Sequence, residues 1–260
     1  MVGIKAAEFF NHEGIECCLA DAASNIFPLA AHKNCSKIIE KIVEDNGISL
    51  RLGGAIKRIE HTIKNTYAYF DDGKEPEEAD IIIMAIGVRP NINFISKDQI
   101  KIDRGIIVNK KMETSAKDIY AAGDCAQGYD VVLNDNRIIG LLANARYQGR
   151  TAAKNIGGID SYYAGTTPHN ITYFLGTDFI GIGNPNADGE VLEKYDPSKN
   201  KYIRIVKQGE KIQCINLINY KEISGILKAM FFKSLEANNS TFTDNPSFER
   251  FAGTIIKQVI

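Results

Sequence analysis

Thr114-Ser115-Ala116-Lys117-Asp118-Ile119-Tyr120-Ala121-Ala122-Gly123-Asp124 is the stretch whose reading decides the fold. Residues 118–122 are apolar for the most part and β-prone, and they stop at a glycine followed by a carboxylate. A parallel strand at the ligand-binding edge of an α/β sheet ends in this way. The small Gly123 admits a ligand to the backbone, and Asp124 can accept hydrogen bonds from sugar-like hydroxyls. A turn closed by an Asx side chain is the plain alternative for the same residues.

Composition narrows the partners. With 260 residues and 44% hydrophobic content, the chain can bury a sizeable core as one large domain or two smaller ones. Lys and Arg total 31 against 32 Asp and Glu, so there is no basic footprint for nucleic acid and no polybasic patch for a membrane. The longest apolar run, 79–88 with Asp80 inside it, is far short of the roughly 20 residues of a spanning helix. The opening residues lack a charged segment followed by an apolar one, so a cytoplasmic protein without a signal peptide is expected. Five cysteines without a Cys-x-x-Cys pair argue against a disulfide framework and a zinc ribbon. Cys17 and Cys18, adjacent in an expected strand, point to opposite faces. Cys125, beside Asp124, is expected to be a small buried hydrophobe. The four His have no metal-ligand spacing, and none is assigned to catalysis.

Outward toward the N-terminus, residues 3–14 predict a helix stopped by Gly14, followed by a strand over 15–20 and then Asp21. Helix, strand and acidic residue are the back two-thirds of a dinucleotide-binding βαβ unit. Gly3 stands where the last glycine of a Gly-x-Gly-x-x-Gly fingerprint would fall, and Asp21 lies 18 residues beyond it, the spacing of a carboxylate that bonds an adenosine ribose. An acid there favours NAD over NADP, whose 2'-phosphate it would repel; an aspartate that merely ends a strand is the alternative. Ile38, Ile39, Ile42 and Val43 place a helix over 33–46, and 48–52 is then the next parallel strand. Strands are expected over 55–61 and 66–70, ahead of the turn Asp71-Asp72-Gly73, and 79–86 has the continuous apolar character of a buried strand.

Gly87-Val88-Arg89-Pro90-Asn91 follows as a crossover or a plain turn, and 105–109 and 112–114 lead into the opening stretch. Beyond it, 141–156 reads as a helix ended by Gly157-Gly158. The last third alternates short strands (170–174, 179–182, 191–195, 202–206, 211–219) with turns, Gln208-Gly209-Glu210 closing a hairpin. A helix over 222–234, a loose polar tail over 237–244 and a final helix over 248–260 complete the reading.

Thr-x-x-x-x-Ile-Tyr-Ala-Ala-Gly-Asp resembles the second flavin motif of the pyridine nucleotide-disulfide oxidoreductase superfamily. Val2-Gly3-Ile4-Lys5-Ala6-Ala7-Glu8, Ile26-Phe27-Pro28 and the Gly87 crossover are similar to that family's continuation, in the same order. The C-terminal module resembles the interface domain of its rubredoxin reductases, NADH oxidases and nitrite reductase flavin modules. The resemblance implies an α/β fold in three parts: 1–86, an incomplete NAD-binding Rossmann-like domain lacking its first strand; 87–163, a C-terminal segment of an FAD-binding domain; and 164–260, an α+β interface domain. It implies FAD and NAD as cofactors. Gly123 and Asp124 would take the flavin ribitol, and the backbone N–H groups of Leu141 and Leu142 the flavin pyrimidine. Gly87 would lie against a bound nucleotide, with Gly3 and Asp21 on the dinucleotide side. Hydride would pass from NADH to flavin N5, and electrons onward to an acceptor: a small redox protein, oxygen or a fused reductase domain. The last domain would pair subunits or cover the flavin. The family's N-terminal half-domain, with its own glycine fingerprint, has no counterpart here, so the expectation is the C-terminal portion of an FAD-dependent NAD(P)H oxidoreductase, inactive in isolation. A non-catalytic scaffold or dimerisation fragment that binds no flavin is the alternative.

Overall fold

The computed structural model describes residues 1–96 and 98–236. The expected polar tail and final helix lie outside the described residues. The chain forms two compact units: residues 1–86 together with 170–236, and residues 87–169.

The first unit opens with α1 (Val2–His12), which buries Ile4 and Ala7, one turn apart. Gly14, at φ +77°, stops the helix, and the N–H of Ile15 returns to the carbonyl of Phe10. Because Ile15 is used in that stop, β1 begins later than expected, at Cys18–Asp21. α2 (Lys33–Asp45) buries Cys35, Ser36, Ile39, Ile42 and Val43 along one face, and Gly47 closes it in the same manner as α1. β2 (Ser49–Leu52) then pairs parallel to β1, placing Cys18 beside Ser49 and Asp21 beside Leu52. β3 (Ile56–His61), β4 (Thr66–Phe70) and β5 (Glu77–Ala79) form an antiparallel sheet.

The apolar run after β5 departs from expectation. Only its first residue, Ala79, joins a ladder; Ile81, Ile83, Met84, Ile86 and Val88 are exposed, the last by 92%. A strand needs a neighbouring strand to accept its backbone groups, and among the described residues no strand forms a ladder with 81–88.

The second unit holds β6 (Ile106–Ile107), β7 (Ala126–Asp130), β8 (Asp135–Arg137) and α3 (Leu142–Ile156). β6 pairs parallel to β7, and β8 antiparallel to β7. Its core gathers Ile100, Ile106, Val108, Met112, Ala126 and Tyr163. Here too the expected strand over 118–122 is not formed. Asp118 adopts a left-handed φ of +63°, and Tyr120 makes only a single bridge with Glu113. Thr114 N–H donates to the carbonyl of Ile119 and Ala121 N–H to that of Met112, so the segment closes as a loop. The ladder lies after the Gly123-Asp124 turn, in β7, rather than before it.

The chain then returns to the first unit through β9 (His169–Phe174), β10 (Thr177–Gly183), β11 (Glu190–Asp196), β12 (Lys201–Gln208) and β13 (Lys211–Ile218). They form one sheet in the order β11-β12-β13-β10-β9. α4 (Lys221–Glu236) covers it with Ile223, Leu227 and Phe231, spaced at i, i+4 and i+8. This sheet packs on the first 86 residues: Phe174, Phe179, Tyr202 and Ile218 share one core with Ile4, Ile39, Val43 and Ile48. Asn216 in β13 joins them by polar bonds as well, donating to the carbonyl of Ala30 at 2.8 Å and accepting from His32 N–H at 2.7 Å.

Candidate functional site

In the second unit, the backbone places Gly123 at φ +84°, a conformation that L side chains rarely adopt. Ala126 N–H donates back to the Gly123 carbonyl at 3.0 Å, so Gly123 and Asp124 form the corner of a tight turn leading into β7. The Asp124 side chain is exposed, and it makes no hydrogen bond or ion pair among the described residues.

Opposite the turn is the start of α3. A Cβ added at Gly140 would lie 3.8 Å from the Asp124 carboxylate, and one at Gly123 would lie 3.6 Å from the Ala145 side chain. Leu141 occupies the N-cap and offers no side-chain acceptor, so the N–H groups of the first helical turn, Leu142 among them, are left uncapped. The Leu141 N–H itself is engaged, donating to the carbonyl of Ile139 at 2.9 Å. Of the two expected donors, Leu142 is therefore the one with an N–H to offer. The structure thus brings together Gly123, Asp124, Leu141 and Leu142, a free carboxylate beside the positive end of a helix dipole. That combination can accept bonds from hydroxyl groups on one side and receive partial negative charge on the other.

Next to the turn, residues including Phe94, Ile100, Ile106, Tyr120 and Ala122 line an apolar cleft of about 320 Å³. Cys125 also lines it and is half-buried, its thiol donating weakly to the carbonyl of Ala122 at 3.4 Å.

In the first unit, Asp21 ends β1, exposed, its Oδ1 accepting from Ala23 N–H at 2.9 Å. Gly3, in the first turn of α1, faces β1: a Cβ there would meet Leu19 at 3.4 Å and Ala85 at 3.6 Å, ordinary contact distances. Its close packing is tight but does not demand glycine. Gly87, the first residue of the second unit, has φ +89°, which does favour glycine, and nothing lies within 4 Å of where its Cβ would be.

A model of the pyridine nucleotide-disulphide oxidoreductase family matches residues 1–149. The chain belongs to that family. Among curated relatives, it is 26% identical over 260 residues to the assimilatory nitrate reductase electron transfer subunit of Bacillus subtilis, covering 99% of this chain and 30% of that protein. It is 33% identical over 184 residues to an NADH oxidase of Streptococcus pneumoniae, covering 70% of this chain and 39% of that one. The chain therefore spans less than half the length of these relatives. Among solved structures, the water-forming NADH oxidase from Lactobacillus brevis bound to NADH superposes with a TM-score of 0.80 at 21% identity, over 100% of this chain and 65% of that one. At that identity the likeness establishes the fold, and the α/β architecture is that of the pyridine nucleotide-disulphide oxidoreductases.

Two residues beside this site escape a reading of the sequence. α3 buries a polar face, Asn144, Gln148 and Thr151. Gln148 accepts from Gly123 N–H at 2.8 Å, and Asn144 donates to the Ile139 carbonyl at 2.9 Å. Their spacing of i, i+4 and i+7 was the available signal, since it places all three on one face of the helix.

Proposed function

We propose that this pyridine nucleotide-disulphide oxidoreductase chain carries part of the flavin site and part of the nicotinamide dinucleotide site of an FAD-dependent, NADH-linked oxidoreductase. The observation that carries the reading is the exposed, unpaired Asp124 carboxylate on the Gly123 corner, set beside the uncapped start of α3. These residues fit FAD. Asp124 would accept hydrogen bonds from ribitol hydroxyls, and the Leu142 N–H with the helix dipole would favour electron-rich oxygen or nitrogen on the pyrimidine side. When bound, FAD supplies hydride acceptance from a nicotinamide and onward electron transfer. The protein's part is to orient the ring and stabilise charge that develops on it. Asp21 would bond the adenosine ribose and reject a 2'-phosphate, which makes NADH the preferred donor.

Relatives described as an electron transfer subunit and as NADH oxidases support an acceptor that is either another redox protein or oxygen. A second reading is that these residues alone form a scaffold that retains no flavin. It draws on the two apolar segments, 81–88 and 118–122, that lie outside any ladder.

Titration of the purified chain with FAD, followed by flavin absorbance and fluorescence, separates the two. Saturable binding is expected. Asp124→Ala should then raise the dissociation constant about tenfold or more, since a hydrogen bond to a charged group contributes roughly 1.5–3 kcal/mol. Equal affinity in that variant would remove Asp124 from the flavin site, and a wild-type chain that is colourless once unbound FAD is removed would favour the scaffold.

A further inference from the structure

We propose that Gln148 is the positioning residue of this site: from inside α3 it locks the Gly123-Asp124 turn and so aims the Asp124 carboxylate. The inference rests on the reading of Asp124 as a ligand residue.

Gln148 is completely buried, at 0% exposure, in the second turn of α3. A buried side-chain amide is costly unless it is bonded, and a leucine would fill such a place at no polar cost. Its Oε1 accepts from Gly123 N–H at 2.8 Å, while Nε2 lies toward the Tyr163 hydroxyl without a hydrogen bond of good geometry. The carbonyl end therefore accounts for the presence of an amide here. It also fixes which way the amide points, because the reversed group would set NH2 against the Gly123 N–H. Room for the amide comes from Gly128 in β7, where an added Cβ would fall 2.2 Å from Nε2. Gly123 is the residue that takes the left-handed conformation, so a bond to its N–H holds the corner at the point where the chain could most easily swing.

One helical turn earlier, Asn144 performs the matching task for the other side of the site. It donates to the carbonyl of Ile139 at 2.9 Å, accepts from the hydroxyl of Tyr163, and so secures the approach to Gly140, which faces Asp124. Tyr163 is itself buried. The inward polar face of α3 thus holds both loops that border the carboxylate.

The test uses the full chain labelled with ¹⁵N, comparing Gln148→Met, which keeps length and removes the acceptor, with Gln148→Glu, which keeps an acceptor. Amide hydrogen exchange at Gly123 should accelerate about tenfold in Gln148→Met, the consequence of losing one buried bond. Exchange at Ile107, whose N–H donates to the Lys101 carbonyl in the same unit, should stay unchanged. Gln148→Glu should restore slow exchange at Gly123. Unaltered Gly123 exchange in Gln148→Met overturns the proposal, and so does acceleration shared equally by Ile107, which would mean general loosening.

FAD affinity supplies the second arm. Gln148→Met and Asp124→Ala should each weaken binding, and the double variant should be no weaker than Asp124→Ala by more than about twofold, because Gln148 acts through Asp124. Multiplying effects would instead make Gln148 independent of the carboxylate and overturn the proposal. If the wild-type chain binds no FAD, the flavin reading of this chain fails by itself, and the exchange measurements still decide whether Gln148 holds the turn.

Discussion

Arg51 is the residue on which the first unit's two small sheets depend. Its side chain is 5% exposed, and Nε and Nη2 donate to the two oxygens of Asp72 at 2.9 and 2.8 Å. Nη1 reaches the Glu75 carbonyl and Glu77 Oε1, and the guanidinium lies 4.1 Å from the centre of the Phe70 ring. One planar fork thereby ties β2 to the turn after β4 and to β5, a geometry that an ammonium cannot copy. Arg51→Met should lower the thermal midpoint by several degrees and Arg51→Lys by less, measured by circular dichroism; equal midpoints for all three proteins would remove the fork from the account. The pair also sets an acid limit. The hydrogen bonds from Arg51 hold Asp72 down from its ordinary 3.8 to about 2. A depressed carboxylate contributes its full stabilisation above the unfolded value and loses it as pH falls toward the folded one. Urea midpoints should therefore decline between about pH 4 and pH 2, with a shallower decline in Arg51→Met. None of this was legible beforehand: Asp71-Asp72-Gly73 reads correctly as a turn, but its partner lies 21 positions away, at a distance only folding closes.

Among elements, the four described helices were legible to within a residue or two, since apolar spacing and the stops at Gly14, Gly47 and Gly158 are local properties of the chain. The short strands were not all so. Residues 79–86 and 118–122 have strand-like composition, and neither forms a ladder beyond Ala79 and the bridge at Tyr120. β-propensity describes fitness for a pleated surface, and without a neighbour the same residues stay extended or curl into a loop. Ile83 and Ile86 are 50% and 84% exposed and so contribute little burial. Ile83→Lys should change stability by no more than about 0.5 kcal/mol, measured by urea unfolding. Gly181 in β10 is the opposite case. Its missing Cβ would fall 2.4 Å from the carbonyl oxygen of Ala30, so Gly181→Ala must push the sheet off the loop before α2 and should cost several degrees in a thermal melt. No drop in that variant would contradict the close approach.

At the scale of the whole molecule, residues 1–86 and 170–236 share a core although 83 residues intervene between them. The last strands pack on α1 and α2 as well as on one another. Residues 1–86 expressed alone should therefore lack a cooperative thermal transition, since Ile4, Ile39, Val43 and Ile48 would lose the cover of Phe174, Phe179, Tyr202 and Ile218. A sharp melt of that fragment would refute the shared core. The sequence by itself determined the family, the four described helices, the Gly123-Asp124 corner and the acid at the end of β1, because each is written in residues close together in the chain. Tertiary structure alone decided that the ladder follows the corner, that Gln148 and Asn144 brace it, that Leu141 has already used its N–H, and that the C-terminal sheet closes over the first helices. Those outcomes depend on which distant groups meet and which backbone donors find partners, and no local pattern encodes either.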